Sequence, residues 1–338
     1  MAGDFSFGSP QKRRRLHTSI DLPAGQEAPC CCPADLSSAT PATSASGQVQ
    51  GRNVIAGQNV YDGTVNINFN KESEDKNCLK ELCTTDPRQD KKRIEQTKGG
   101  LLVDSYRWVL NNTEFQRWRD DGQSRLLWIK GDPGKGKTML LCGIINELKS
   151  ASASSLLSFF FCQATDTSIN NATAVLRGLI YLLVDQRLSL FSHVQKKYGA
   201  TGNPLFRGVN TWVALSEIFT DILEDPTRPP TCLIIDALDE CIDGLDLLLG
   251  LIVQASSIYT NVKWIVSSRN WPIIEKKLDA TTRNVRLSLE LNEESVSTAV
   301  TAYIRFKVDC LAKENGYDID TRDAVKRYLS TNAHGTFL

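Results

Sequence analysis

A glycine-rich stretch in the middle of the chain, GDPGKGKTML from Gly131 to Leu140, has the residue types of a phosphate-binding loop. Its spacing, Gly-x-x-x-x-Gly-Lys-Thr, lets backbone N–H groups turn toward phosphate oxygens. We expect Lys137 to reach the β- and γ-phosphates of a nucleotide and the Thr138 hydroxyl to contact Mg²⁺. The predicted nucleotide-binding residues are Gly131, Asp132, Pro133, Gly134, Lys135, Gly136, Lys137 and Thr138.

Acidic residues follow a second apolar run, TCLIIDALDEC from Thr231 to Cys241. An acid at the C-terminal end of a strand lies on the ligand-binding edge of an open α/β sheet. We therefore expect Asp236 to hold Mg²⁺ through water, as the partner of Thr138. Either Asp239 or Glu240 is then placed to polarise an attacking water.

A third apolar run, VKWIVSSRN from Val262 to Asn270, ends in Ser267, Ser268 and Arg269. This end reaches the same site if its strand lies beside the strand that ends at Asp236. Arg269 is the third candidate catalytic residue, since it would sense the γ-phosphate or pair with the acids. The alternative is an ordinary surface arginine.

The runs that carry these residues alternate with segments of helical spacing between residues 123 and 290. Continuously apolar strands separated by helices are typical of a mostly parallel sheet with helices on both faces. The predicted fold class is therefore α/β, with a P-loop NTPase core. The expected strands are 125–130, 156–162, 232–235, 262–267 and 285–289, and the expected core helices are 138–148, 173–184, 213–223 and 245–254.

Composition divides the rest of the chain. Residues 1–50 form a low-complexity tail with few large apolar residues, which predicts disorder. Residues 73–122 are a helical lead-in with a helix over 101–110, and residues 291–338 are a helical segment with Asn292 as its N-cap and a second helix over 324–329. The apolar pair at its end, Phe337 and Leu338, suggests that this segment is incomplete.

Residues 51–72 form a separate β-prone motif. In the stretch Gly51–Asn70, Val65, Ile67 and Phe69 alternate with asparagines, a period of two. Such a segment favours either a small hairpin on the next domain or a cross-β, amyloid-like stack. The residues alone leave both alternatives open.

Bulk composition excludes several classes of protein. The 39 basic and 39 acidic residues give a net charge of zero, which argues against a nucleic-acid binder or a protein of anionic membranes. No stretch approaches the roughly 18 apolar residues of a transmembrane helix, and the N-terminus lacks a secretory signal. The ten cysteines contain no Cys-x-x-Cys pair, so we expect reduced thiols in a cytoplasmic protein.

Three stretches resemble, in order, the motifs of the fungal NACHT domain, a P-loop NTPase of the STAND class. They are TDPRQDKKRIEQTKGGLLVDSYRWVLNNTEFQRWRDDGQSRLLWIKGDPGKGKTMLLCGIINEL, LIIDALDEC and VKWIVSSRN. The resemblance covers about residues 75–338 and is strongest to HET-E-like vegetative-incompatibility proteins and related fungal NOD-like receptors. The matching motif positions are Gly131, Gly136, Lys137, Thr138, Asp236, Asp239, Glu240 and Arg269. Ala237 departs from the family, which often has glycine after its first acid.

The resemblance implies a nucleotide-gated switch that binds Mg²⁺ and ATP or ADP, hydrolyses nucleotide slowly and self-associates through its NACHT domain. GTP and GDP stay open, although the sequence lacks the guanine-reading Asn-Lys-x-Asp motif. Family members place a winged-helix region and a repeat sensor after NACHT, and some carry an N-terminal amyloid motif that templates an effector protein, as Gly51–Asn70 would. The alternatives are an adaptor with an inactive NTPase core, or a continuously cycling remodeller of the AAA+ type.

Overall fold

The computed structural model describes residues 75–151, 154–279 and 284–337. The tail 1–50 and the β-prone motif Gly51–Asn70 lie outside the described residues, so both predictions stay open.

In the described part of the chain, five strands form one parallel sheet in the order β2-β3-β4-β1-β5. The strands are β1 Leu126–Lys130, β2 Leu156–Phe161, β3 Thr231–Asp236, β4 Val262–Ser268 and β5 Asn284–Ser288. The predicted α/β class is confirmed. Because all strands run in the same direction, the residues that follow β1, β3 and β4 meet at one edge of the sheet.

Helices connect and flank the strands. Before β1 lie α1 (75–82), α2 Pro87–Thr97, α3 Val103–Tyr106 and α4 Thr113–Asp120. Between β1 and β4 lie α5 Lys137–Ala151, α6 Ala172–Gln186, α7 Phe191–Thr201, α8 Thr211–Glu224 and α9 Leu245–Ile258. After β4 come α10 Pro272–Leu278, α11 Glu293–Asn315 and α12 Ile319–Asn332.

The strands are apolar throughout because both faces of the sheet are covered. Successive side chains of a strand point to opposite faces. Leu126 and Trp128 of β1 belong to a core shared with α6, α8 and α9, whereas Leu127 and Ile129 belong to a second core shared with α5 and α11. The sheet is therefore a rigid layer between two cores, and residues at its edge are held in fixed positions.

Three local predictions differ from the structure. No helix was predicted over α7 or α10; α10 is only seven residues long, and the sequence of α7, FSHVQKKYGAT, is largely polar and contains Gly199. The expected helix over 101–110 is only one α-helical turn, α3, followed by a 3-10 segment over Arg107–Asn111. Asn292 occupies the N-cap position of α11, but its side chain does not cap the helix.

The Asn292 side chain joins two other elements instead. Its amide nitrogen donates to the Ser288 carbonyl oxygen at 2.7 Å, and its amide oxygen accepts from Asn112 at 2.9 Å. It therefore holds the turn after β5 against the start of α4, a tertiary role that a local capping pattern does not indicate.

Within the described residues, no helix combines the length and the apolar character needed to span a membrane. The seven described cysteines are free thiols, Cys78, Cys83, Cys142, Cys162, Cys232, Cys241 and Cys310.

Candidate functional site

The glycine-rich loop lies between the end of β1 and the start of α5, as its sequence pattern requires. Gly134 and Gly136 have φ values of +80° and +79°, a left-handed conformation that residues with a Cβ rarely adopt. A Cβ on Gly131 would come within 3.0 Å of the Leu289 side chain. The loop thus follows a tight path that depends on its glycines.

Two side chains from other elements hold the start of the loop. The Asp132 N–H donates to Glu290 Oε1 at 2.6 Å, and Asn270 Nδ2 donates to Asp132 Oδ1 at 3.0 Å. Glu290 follows β5 and Asn270 follows β4, so both neighbours of β1 in the sheet fix the loop. Neither residue was predicted as a site residue, since nothing in their spacing along the sequence relates them to the loop.

Lys137 lies within the curl of the loop. Its Nζ donates to the carbonyl oxygens of Gly131 at 2.5 Å and Asp132 at 3.0 Å. Burial lowers the pKa of Lys137, and the nearby carboxylates of Asp239 and Asp236 oppose that shift. The ammonium therefore occupies a partly desolvated position where an anionic ligand would be strongly favoured.

Asp236 ends β3 and is almost completely buried, with 2% of its surface exposed. Its Oδ1 accepts a hydrogen bond from Ser267 Oγ at 2.5 Å, and Thr138 lines the same cavity as Asp236. Burial raises the pKa of Asp236 above its ordinary value, and the hydroxyls of Ser267 and Thr138 oppose that shift only in part. The structure brings together the two residues that the sequence analysis assigned to Mg²⁺.

Arg269 lies against the acids that follow β3. Its Nε is 3.0 Å from Asp239 Oδ2, and its backbone N–H donates to Asp239 Oδ1 at 2.9 Å. A longer contact of 3.9 Å joins Arg269 to Glu240 Oε1. Of the two roles expected for Arg269, pairing with the acids is the arrangement in this structure.

The two acids differ in exposure. The Asp239 side chain is 3% exposed and is held by Arg269, whereas the Glu240 side chain is 30% exposed. Glu240 Oε2 accepts from the Ala164 N–H at 3.0 Å, after the end of β2. Glu240 is therefore the more accessible carboxylate of the pair.

These residues line one cavity of about 330 Å³. Its lining includes Asp236, Asp239, Glu240 and Arg269 together with residues of the glycine-rich loop. Lys98, Ser105, Tyr303 and Phe337 also line the cavity, and none of the four was predicted as a site residue. This volume lies in the range of small-molecule sites.

Phe337 contacts the loop directly. Its N–H donates to the Gly134 carbonyl oxygen at 2.7 Å, and a Cβ on Gly136 would come within 2.6 Å of its ring. The Phe337 and Tyr303 rings are 5.6 Å apart between centroids. The only sequence signal for this contact was the apolar pair at the end of the helical segment.

The residues present fit a Mg²⁺–nucleotide complex. The loop supplies backbone N–H groups and a lysine for phosphate oxygens, at the start of a 15-residue helix whose positive end favours anions. Thr138 and Asp236 supply the oxygen ligands that Mg²⁺ prefers, directly or through water. A parallel α/β sheet with this loop and this acid defines the class of P-loop nucleotide-binding proteins.

Comparison with known proteins narrows this class. Residues 104–269 match the family model described as Nephrocystin 3, N-terminal. The chain is 59% identical over 268 residues to the vegetative incompatibility protein HET-E-1 of Podospora anserina. The match covers 79% of this chain but 20% of the length of that protein. The chain is thus a relative of the fungal NACHT-type vegetative-incompatibility proteins, as the motif resemblance predicted.

Two solved structures resemble the chain in part. A DNA replication initiation factor has a TM-score of 0.36 and 15% identity, with 69% of this chain and 58% of that chain covered. PCH-2 of C. elegans has a TM-score of 0.33 and 14% identity, with 73% and 59% covered. The fold assignment rests on the sheet and loop of the chain itself.

Proposed function

We propose that this chain is the nucleotide-binding switch of a fungal incompatibility or innate-immunity-like signalling protein. Nucleoside triphosphate with Mg²⁺ favours a self-associating form, the diphosphate favours a closed form, and slow hydrolysis returns the switch to its closed form. Adenine nucleotides are the first candidates, and guanine nucleotides are the alternative. The same proposal includes a cytoplasmic location and the absence of nucleic-acid binding. It also includes the division into a helical lead-in, an NTPase core and a helical segment, over 73–122, 123–290 and 291–338.

One observation carries this proposal: Lys137, Thr138, Asp236 and Arg269 come from three different elements and face one cavity. Lys137 would bind the β- and γ-phosphates, and Thr138 with Asp236 would hold Mg²⁺, which supplies charge neutralisation at the phosphates when bound. A γ-phosphate orders loops that a diphosphate cannot reach. The relationship to HET-E-1 supports the signalling role.

The contacts of the loop favour a second candidate function. Lys137 bonds the carbonyl groups of its own loop, and Phe337 covers Gly136. A loop filled in this way suits an adaptor whose core binds nucleotide weakly. In that case residues 51–72 would nucleate assembly, including the templating of an effector protein by Gly51–Asn70.

Bound nucleotide distinguishes the two functions. The full chain is purified and denatured, and any released nucleotide is identified by chromatography. The switch hypothesis predicts close to one released nucleotide per chain. The chromatography then shows whether its base is adenine or guanine. Lys137→Ala should lose the nucleotide, whereas Lys149→Ala, an exposed lysine at the far end of the same helix, should keep it.

Assembly provides the second readout. Light scattering with triphosphate, with diphosphate and without nucleotide should show larger species with triphosphate, and Lys137→Ala should abolish the difference. Assembly of Lys137→Ala at the wild-type level, together with an empty wild-type site, would replace the switch by the adaptor.

A further inference from the structure

Ser267 is a fully buried serine near the end of β4, beside the end of β3. Its hydroxyl makes two hydrogen bonds to neighbouring residues of β3 and its turn. It donates to Asp236 Oδ1 at 2.5 Å and accepts from the Ala237 N–H at 2.9 Å. A hydroxyl has one donor and two acceptor sites, so one side chain satisfies both groups at once.

Both groups need such a partner. The carboxylate of Asp236 is buried, and an unpaired buried carboxylate would be costly. Ala237 is left-handed, with φ 55° and ψ 54°, a conformation that disfavours residues with a Cβ. A left-handed alanine persists only where its surroundings hold it, and the Ser267 oxygen bonds the N–H of this residue.

The position of Ala237 makes this contact important for the site. Ala237 is the hinge between Asp236 and the 3-10 turn Leu238–Glu240 that carries both candidate catalytic acids. Ser267 therefore fixes the metal-side carboxylate and the direction of the turn that follows it.

We propose that Ser267 is a positioning residue that orients Asp236 for Mg²⁺–nucleotide binding and holds the left-handed Ala237. The first part of this inference, the orientation of Asp236 for Mg²⁺, rests on the proposed nucleotide-binding function. The second part, the support of the left-handed Ala237, follows from the hydrogen bond between the Ala237 N–H and Ser267 Oγ alone. Removal of a residue that orients a metal ligand through a hydrogen bond commonly lowers metal affinity by 10- to 100-fold.

Ser268 provides a matched control. It is the next residue of the same strand, is equally buried and also uses its hydroxyl twice. Its Oγ accepts from Trp128 Nε1 at 2.9 Å and donates to the Arg269 carbonyl oxygen at 2.8 Å, away from Asp236. Ser268→Ala therefore removes a buried hydroxyl without touching the carboxylate.

The first test is a Mg²⁺ titration of the full chain with a fluorescent ATP analogue. Ser267→Ala should need about tenfold more Mg²⁺ for half-maximal binding, with unchanged affinity in EDTA. Ser268→Ala should keep the wild-type Mg²⁺ requirement. Ser267→Thr retains the hydroxyl and should also show the wild-type Mg²⁺ requirement. If Ser267→Ala does not fold, Ser267→Cys replaces it, because a thiol is a weaker donor with a longer hydrogen bond. Ser267→Cys should raise the Mg²⁺ concentration for half-maximal binding by less than about tenfold.

The second test does not depend on nucleotide. Hydrogen exchange of the Ala237 amide should accelerate in Ser267→Ala and stay at the wild-type rate in Ser268→Ala. Equal changes in the two variants, in Mg²⁺ requirement or in exchange, would overturn the positioning role. A wild-type chain that binds no nucleotide would overturn the proposed function, and the exchange rates would then decide the role of Ser267 by themselves.

Discussion

The two acids after β3 have different surroundings, and this divides their roles. Asp239 is buried, forms an ion pair with the Arg269 side chain and accepts a hydrogen bond from the Arg269 backbone N–H. Both acids line the cavity, but Glu240 is the more exposed, and one of its carboxylate oxygens accepts a hydrogen bond from the Ala164 N–H. Since a general base must be reached by its water, Glu240 is the better candidate for polarising the attacking water, and Asp239 positions Arg269.

Substitution of each acid separates these roles. Glu240→Gln should bind nucleotide as the wild type does and lose hydrolysis by at least about a hundredfold, because the amide cannot accept a proton. Asp239→Asn should instead lower the unfolding free energy by about 1–2 kcal/mol, through the weakened bonds to Arg269. Single-turnover hydrolysis and urea unfolding measure the two effects. The reverse pattern, with hydrolysis lost only in Asp239→Asn, would exchange the assignments.

The sequence predicted the loop and Asp236 because their chemistry is local or lies at a strand end. It placed Ser267 near Asp236 on the condition that their strands are neighbours, without giving it a role, and it did not predict Asn270 or Tyr303. These residues reach the site across the sheet or from a later helix, and many serines and asparagines elsewhere in the chain look the same in one dimension. Pairing of β3 with β4 is what turns Ser267 into a partner of Asp236.

Among the elements, α5 packs closely on α3. Gly143, within α5, faces the ring of Tyr106, and a Cβ at Gly143 would collide with three of its atoms. Tyr106 in turn donates from its hydroxyl to Glu147 at 3.0 Å, one turn further along α5. The glycine therefore allows the lead-in helices to lie directly on the helix that follows the phosphate loop.

A pair of glycine substitutions tests this packing. Gly143→Ala should destabilise the chain by about 1–2 kcal/mol, since the cost of overpacking exceeds the gain in helix propensity. Gly250→Ala in α9 is the control, because a Cβ there meets nothing within 4 Å and should stabilise the chain by up to about 1 kcal/mol. Urea unfolding compares both with the wild type. Stabilisation by both alanines would mean that α3 is free to move away from α5.

Strongly patterned elements were easier to predict than weakly patterned ones. The strands are continuously apolar and the helices α5, α6, α8 and α9 are long, and all of them were expected. Helix α10 has only two buried positions, Ile274 and Leu278, one turn apart. Such a helix is stabilised by packing against its neighbours, which local propensity does not contain.

At the scale of the whole molecule, the cavity joins the sheet to the C-terminal helices. Tyr303 of α11 donates from its hydroxyl to the Lys98 carbonyl oxygen at 3.2 Å, and Lys307 Nζ donates to the Gly99 carbonyl oxygen at 2.8 Å. Lys135 of the loop donates to the Gly335 carbonyl oxygen at 3.1 Å. The lead-in, the core and the helical segment therefore meet around one site, and a ligand there would contact all three.

This arrangement predicts that nucleotide binding stabilises α11 as well as the loop. At a hundredfold excess over Kd, ligand binding can slow hydrogen exchange by up to about a hundredfold where exchange requires release of the ligand. Peptides covering 131–138 and 298–308 should both gain protection, while α7, which does not line the cavity, should not change. Lys137→Ala should show no ligand-dependent protection. Protection confined to 131–138 would instead mean that the loop binds phosphate without engaging α11, so that a signal could not pass to the helical segment by this contact.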